Sequence, residues 1–348
     1  MRIAQVCHRF YPNTGGIEKH VYEISKRIAK KFEVYVITAD RNGLPETEIV
    51  EGIKIVRFRS LHPSNSFYVA PQLYVFLKRN DYDVVHAHNY HALPSLFASF
   101  ACERFVFTPH YHGRGGNLFR NLLHGPYRIL GRRVFERAKA VICVSKHECD
   151  LVIEHFGIHK GIRIVPNGID LKEIRRIGRA EEEDFVLYVG RLEAYKNVDV
   201  LVKAMKYIPE MKLYVVGEGS FKMKLEKLAY RLGLSDRILF LGKVSEERKF
   251  ALMKACSVFV NLSSLEAFGI TVLEALACGS PVVVNGGSGL KEFAEKFDCV
   301  FTTDLEPKTV AERIKTAMGC DVRVNLKEYD WDNVARRVMD VYESVVKG

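Results

Sequence analysis

The chain has no uninterrupted apolar run of about 18 residues, so no membrane-spanning helix is expected. Its first residues, Met1-Arg2-Ile3-Ala4-Gln5-Val6-Cys7, lack the longer apolar core and small-residue cleavage site of a signal peptide and read as a first strand. The eight cysteines include no CxxC pair, which leaves a zinc site with little support. Several sit among apolar residues, as Cys143 does in Val-Ile-Cys-Val, and read as buried reduced thiols of a cytosolic protein. No short-period repeat is present, and with 48 % hydrophobic and 27 % charged residues disorder is not the expected state.

What is there is length and alternation. A chain of 348 residues is too long for one ordinary core and favours two domains of similar size. Net charge is +10, which points to anionic partners without choosing among nucleic acid, anionic lipid and phosphorylated small molecules. Short β-branched runs alternate with helical stretches: Ile3 to Val6, Val34 to Thr38, Ile53 to Phe58, Val84 to Ala87, Phe105 to Thr108 and Ala140 to Val144. They are continuous apolar runs, as suits strands buried on both faces of a parallel sheet. Ile17, Val21, Ile24 and Ile28 lie between the first two at helical spacing, giving β-α-β from the start.

A turn at Val165-Pro166-Asn167-Gly168-Ile169-Asp170 and a charged stretch from Lys172 to Asp184 mark a connector. The alternation then restarts with Phe185 to Val189, Lys212 to Val216, Ile238 to Leu241, Val258 to Val260 and Pro281 to Val284. The last helix carries Val334, Val338, Val341 and Val345 on one face. The expected fold is α/β, two doubly wound Rossmann-like domains facing across a cleft. The expected division is 1–168 plus 332–348 against 169–331.

Ligands of open parallel sheets bind beyond the carboxyl ends of the strands. The first strand is followed by Gly15-Gly16, where a loop enters a helix; this allows close backbone approach to an anion, or is a plain strand-to-helix turn. The first strand of the second domain is followed by Gly190-Arg191-Leu192-Glu193-Ala194-Tyr195-Lys196-Asn197. Arg191 and Lys196 either converge on a diphosphate that gains charge as its bond to a sugar breaks, or are solvated surface charges. The richest segment runs from Ser263 to Val284 and holds Glu266 in a loop and Glu274 about one turn inside a helix that begins near Gly269. Carboxylates at those positions suit the hydroxyls of a hexose and of a ribose, and the N–H groups of Phe268, Gly269, Ile270 and Thr271 form a helix start that suits phosphate. A helix with one capping and one surface glutamate is the plainer alternative.

That string resembles the signature of the retaining glycosyltransferases of the GT-B fold, family 4 (group 1). The resemblance covers nearly the whole chain, with landmarks in order: Gly15-Gly16, Ala138 to Ser145, Val165 to Asp170, Val189 to Asn197, Val216-Gly217-Glu218-Gly219, Leu241-Gly242-Lys243-Val244 and Trp331 to Ala335. It implies that Gly190, Arg191, Lys196 and Gly217 belong to the donor diphosphate side. It further implies Glu274 on the ribose, the backbone of Lys243 and Val244 on the base, Glu266 on the donor sugar and Gly16 near the anomeric centre. His110, in Phe107-Thr108-Pro109-His110, matches the family histidine that positions the sugar, with His112 its neighbour; His86 and His88 are candidates for the acceptor side.

The implied reaction is front-face substitution on a nucleotide-sugar donor by a hydroxyl acceptor. No cofactor is expected, the nucleotide sugar being a substrate. No acidic metal motif of the DxD kind is evident, so metal-independent catalysis is expected and no metal is assigned. The segment from Arg114 to Lys139 carries seven basic residues against Glu136, interleaved with Leu118, Phe119, Leu122, Leu123, Tyr127, Ile129, Leu130, Val134 and Phe135. It reads either as a basic amphipathic surface for an anionic membrane, with a lipid-linked or phosphorylated acceptor, or as an ordinary helix. The expected location is cytoplasmic, peripheral at the inner membrane face on the first of those readings. A nucleotide-sugar epimerase of similar two-domain fold and a non-catalytic nucleotide-sugar binder are the alternatives, and the set of Arg191, Lys196 and the two glutamates argues for the transferase. Nucleic-acid binding has no compact recognition motif behind it.

Overall fold

The computed structural model describes residues 1–13, 15–64, 67–113, 118–181 and 184–348. The strands are β1 (Arg2–Cys7), β2 (Glu33–Thr38), β3 (Thr47–Val50), β4 (Ile53–Arg57), β5 (Leu61–Ser64), β6 (Phe67–Val69), β7 (Val84–His88), β8 (Phe105–Thr108), β9 (Ala140–Cys143), β10 (Ile162–Ile164), β11 (Phe185–Val189), β12 (Lys212–Val216), β13 (Ile238–Gly242), β14 (Val258–Asn261), β15 (Val282–Asn285) and β16 (Val300–Thr303). The helices are α1 (Gly16–Ile28), α2 (Gln72–Arg79), α3 (Leu93–Ala101), α4 (Leu118–Arg137), α5 (Lys146–Phe156), α6 (Leu171–Arg176), α7 (Val198–Ala204), α8 (Lys222–Arg231), α9 (Glu246–Ala255), α10 (Ile270–Ala277), α11 (Lys291–Lys296), α12 (Pro307–Ala317) and α13 (Trp331–Lys347).

The chain divides into two compact units, Met1–Gly168 with Glu328–Gly348, and Ile169–Lys327. The return to the first unit starts at Glu328 rather than at Asp332, because Tyr329 and Trp331 are already buried.

The first unit holds an eight-stranded sheet in the order β10-β9-β8-β7-β1-β2-β4-β3, parallel except where β3 runs against β4. Successive side chains of a strand point to opposite faces. Ile3 and Cys7 of β1 accordingly join Val21, Ile24 and Ile28 of α1 and Trp331, Val334, Val338 and Tyr342 of α13 in one core. Ala4 and Val6 join Leu73, Leu77, Ala98, Phe135 and Phe156 in the other. Helix α13 starts where Asp330 accepts a hydrogen bond from the Asp332 N–H, and it buries seven side chains. Its Trp331 fills the space beside Gly168, where an added Cβ would lie 2.5 Å from the indole.

The second unit holds a six-stranded, wholly parallel sheet ordered β13-β12-β11-β14-β15-β16. The order runs outward from β11 in one direction and then restarts beside it at β14. That reversal is the topological switch point of a doubly wound sheet, where crossovers on opposite faces leave a crevice.

β3, β5, β6, β10 and β16 were not legible as strands. β3 and β10 are edge strands with half-exposed residues, so no apolar run marks them. All eight cysteines are free thiols. Among the described residues no helix is long and apolar enough to cross a membrane.

Candidate functional site

In the second unit every candidate residue follows the carboxyl end of a strand: Gly190, Arg191 and Lys196 after β11, Gly217 after β12, Lys243 and Val244 after β13, Glu266 and Phe268 to Thr271 after β14. Strands β11 and β14 flank the switch point, and their loops are bound together. The Ser264 N–H donates to the Tyr195 carbonyl at 2.9 Å. The Asn197 amide donates to the Leu262 carbonyl at 2.8 Å and to Ser264 Oγ at 2.7 Å. Asn197 holds φ +53°, a left-handed conformation that asparagine tolerates, and so ends the single 3-10 turn Ala194–Lys196. That turn delivers the Lys196 ammonium to 2.5 Å from Glu266 Oε2, with both side chains largely shielded from solvent.

Arg191 is exposed and donates to the Tyr195 hydroxyl at 2.8 Å, which ties it to the turn that carries Lys196. Helix α10 opens at Gly269, φ +97°, with no side chain capping its first turn. Leu290 lies where a Cβ of residue 269 would point, at 2.3 Å. Phe268 is buried edge-on against Phe293, and Ile270 and Thr271 form the first turn, with Thr271 Oγ1 accepting from Asn261 at 3.3 Å.

Glu274 is not the surface glutamate of the plainer alternative: it is 3 % exposed and ion-paired with Lys249 Nζ at 3.0 Å. Lys249 also reaches Glu246 at 3.0 Å. Sequence reasoning missed Lys249, although a signal exists: Leu252, Met253 and Cys256 follow it at i+3, i+4 and i+7, so a cation interrupts an apolar stripe and needs a buried counter-charge.

The glycines of these loops are required by packing between neighbouring backbones. A Cβ on Gly217, φ +131°, would stand 2.0 Å from the Gly190 carbonyl oxygen, and one on Gly219 would stand 2.3 Å from that of Leu192. One on Gly190 would meet the Tyr188 hydroxyl, which donates to the Arg191 carbonyl at 2.9 Å. The loops after β11 and β12 lie shoulder to shoulder, and only hydrogen fits between them. A groove of about 780 Å³ on this unit, lined by Asp199, Lys203, Phe221, Lys224 and Tyr230 among others, shares no residue with these loops.

In the first unit Gly15 caps α1, and Gly16 is its first residue. Glu18, buried in that first turn, accepts from Arg9 at 3.1 Å and lies 3.9 Å from His8, two residues the sequence did not single out. Thr14 of the same loop lies outside the described residues. His110 follows β8 in a left-handed conformation, φ +48°, half-buried against His20 and His88. His86 and His88 do not line an acceptor surface: both are wholly buried. His86 bonds the Tyr342 hydroxyl at 2.6 Å and Thr108 at 2.7 Å, and His88 bonds Gln5 at 2.8 Å. Burial holds all these histidines neutral: His8 falls to about 3, His20 to about 4, and His86, His88 and His110 lie well below the usual histidine value.

Two D-x-D spacings do occur, Asp81-Tyr82-Asp83 and Asp330-Trp331-Asp332, both in the first unit and both engaged in holding the fold. Asp83 accepts from the Arg2 N–H at 2.7 Å, Asp330 caps α13, and Asp332 pairs with Arg27 at 2.7 Å.

Of the basic segment, Arg114, and the side chains of Leu118, Phe119, Arg120, Leu122 and Leu123, lie outside the described residues. Arg128 and Arg137 donate to the carbonyls of His155 and Ser99, and Arg132 pairs with Glu136, so these cations are tied to the fold. Ile129 and Leu130 are exposed beside Arg132 and Arg133.

Residues 170–336 match the family described as glycosyl transferases group 1, and residues 14–173 match glycosyltransferase family 4. The chain is similar to an uncharacterized glycosyltransferase of Methanocaldococcus jannaschii, 29 % identical over 99 % of this chain and 98 % of that one. It is 26 % identical to a component of the phosphatidylinositol N-acetylglucosaminyltransferase of Arabidopsis thaliana, over 100 % of this chain and 83 % of that protein. Among solved structures it resembles Anabaena HepE in complex with UDP and glucose, with a TM-score of 0.79, 21 % identity and coverage of 99 % and 100 %. The two Rossmann-like units match the GT-B fold, and with two adjoining family matches spanning 14–336 the chain belongs to the group 1, family 4 glycosyltransferases.

Proposed function

We propose that the chain is a retaining, metal-independent transferase that moves a hexosyl unit from a UDP- or GDP-sugar to a hydroxyl acceptor. The observation that carries this reading is the Lys196–Glu266 pair, which joins the loops after β11 and β14 at the switch point. A departing nucleoside diphosphate gains negative charge as its bond to the sugar lengthens, and preorganised cations stabilise it. Lys196 and Arg191 are the cations of that loop. When the ammonium turns to the diphosphate, Glu266 is released to accept hydrogen bonds from donor-sugar hydroxyls. The positive end of α10, from Phe268 to Thr271, adds a partial charge of the same sign. Glu274 serves the ribose, held in place by Lys249, and the backbone of Lys243 and Val244 serves the base. Gly15, Gly16 and His110, carried by the other unit, belong to the sugar end of the same reading.

The acceptor oxygen bonds to the anomeric carbon on the face from which the diphosphate leaves. The breaking C–O bond gives its electron pair to the diphosphate, whose oxygen takes the acceptor proton. Positioning and charge stabilisation supply the acceleration, without a resident cofactor and without a second carboxylate as nucleophile. The HepE complex with UDP and glucose supports a nucleotide-sugar donor.

For the acceptor, the exposed Ile129 and Leu130 beside the exposed Arg132 and Arg133 suit the surface of an anionic membrane. A lipid-linked or phosphorylated alcohol fits that surface, and the similarity to a phosphatidylinositol-directed relative supports it. The reading places the enzyme on the cytoplasmic membrane face.

The test is a thermal-shift panel of nucleoside diphosphates and nucleotide sugars, followed by NMR of the product's anomeric centre. One diphosphate series should stabilise the wild-type chain and fail to stabilise Lys196→Ala. A chain indifferent to all nucleotides overturns the reading, and an inverted product overturns the retaining step.

A further inference from the structure

We propose that His20, His88 and His110 form a site for a late first-row divalent ion of the zinc class. The three residues come from α1, the end of β7 and the turn after β8, all within the first unit, and one ring nitrogen of each lies within 4.8 Å of the others. Their ring centroids are 5.0, 5.5 and 5.8 Å apart. Three imidazoles around a tetrahedral ion, with metal–nitrogen bonds of about 2.05 Å and about 1.15 Å from nitrogen to centroid, have centroids about 5.2 Å apart. The rings therefore already stand near the spacing a bound ion imposes.

The bonding of the surroundings points the same way. His20 and His88 are 1 % and 0 % exposed, and Nδ1 of His88 and Nε2 of His110 have no hydrogen-bond partner among the described residues, while His20 has the Asn167 amide beside it. Buried polar atoms without partners are uncommon and costly. For His88 the tautomer follows from its neighbours. The Gln5 amide NH₂ donates to the Tyr342 hydroxyl at 2.8 Å, so Gln5 turns its carbonyl to His88 Nε2, also at 2.8 Å. Nε2 must then carry the proton, and Nδ1 is left as an unshared lone pair. A histidine with one nitrogen donating to a carbonyl and the other left bare has the bonding of metal-bound histidines. Neutral imidazole donors without a carboxylate suit zinc, nickel and cobalt, not magnesium or calcium. Three ligands leave a fourth position open. This site stands on the histidine geometry and shares His110 with the donor reading above, so its test reads metal binding and not transfer.

The experiment titrates metal-stripped, full-length chain with Co²⁺ under reducing conditions, with Zn²⁺ as competitor and Mg²⁺ as control. One Co²⁺ per chain is expected, with the visible spectrum of a low-coordinate nitrogen site, and Zn²⁺ should displace it. His20→Gln and His88→Gln should each weaken binding at least about tenfold. Gln5→Ala, which removes the carbonyl that orients His88, should weaken it by about 10- to 100-fold. His147→Gln, on α5, should change nothing. Absence of stoichiometric binding, or a thiolate-to-cobalt charge-transfer band showing that cysteines hold the ion, overturns the proposal. Should the buried variants fail to fold, X-ray absorption of the zinc-loaded wild-type chain decides: three imidazole ligands support the site, and fewer overturn it.

Discussion

Lys196 Nζ lies 2.5 Å from Glu266 Oε2 across 70 positions of sequence, so the residue proposed to hold the leaving group and the residue proposed to hold the sugar meet as an ion pair. Lys196→Ala should lower kcat/KM by about 10²- to 10³-fold, the usual cost of removing one charge-stabilising donor. The variant should stay folded by far-UV circular dichroism with a modestly lower melting temperature, since Glu266 loses its partner but keeps some access to water. Unchanged turnover in this variant would remove Lys196 from the mechanism.

Lys249→Met should remove the ion-pair partner of the buried Glu274 and cost up to about 3 kcal/mol in urea unfolding. The double variant Lys249→Met/Glu274→Gln should recover much of that loss, while donor binding stays impaired because Glu274 is gone. Equal stability of the single variant and wild type would show that the pair is open to water.

Gly217→Ala places a Cβ 2.0 Å from the Gly190 carbonyl oxygen at a φ of +131°. Strain of this kind costs about 1–3 kcal/mol before any clash is counted. Lower thermal stability is expected together with weaker nucleotide binding, because the loop that moves carries Arg191. A variant with altered binding at full stability would return Gly217 to direct ligand contact.

Acid should weaken the first unit. His8 and His20 are neutral when folded down to about 3 and about 4, whereas unfolded histidine takes up its proton near 6.5. The unfolded chain then holds more protons, so stability falls as pH drops from 6.5 toward 4, by up to about 1.4 kcal/mol per pH unit for each histidine. His86, His88 and His110 act in the same direction. Glu148, which burial raises to about 8, acts in the opposite one, favouring the fold below its ordinary value and losing that effect as pH rises through about 8. Urea midpoints measured in EDTA should fall steeply between pH 6.5 and 5, and a flat profile would refute the balance.

Omitting magnesium should leave transfer unchanged, because Arg191 and Lys196 rather than a divalent ion are assigned to the diphosphate. Activity lost in EDTA and restored by magnesium would place a metal on the donor.

Much of this molecule was legible. The apolar runs of β1, β2, β7 and β11 to β15 announced a parallel sheet because strands covered on both faces need no polar alternation. Gly269 and Asn197 mark their turns through the conformations they permit. Lys249, Gln5 and the histidine cluster were hidden for a different reason. Their partners lie far away in sequence, as Gln5 does from Tyr342, and spacing along the chain carries no trace of a contact made through the fold.

Helix α13 seals the core of the first unit with residues that are synthesised only after the whole of the second unit. Ile3, Val21 and Val84 are synthesised early, yet the surface they share with Trp331, Val338 and Tyr342 stays uncovered until residues 331–342 emerge. The second unit, contiguous from Ile169 to Lys327, can mature while its neighbour is still waiting. During synthesis the later segment should therefore resist protease first, and ribosome-stalled chains ending before Trp331 should remain cleavable in their amino-terminal half.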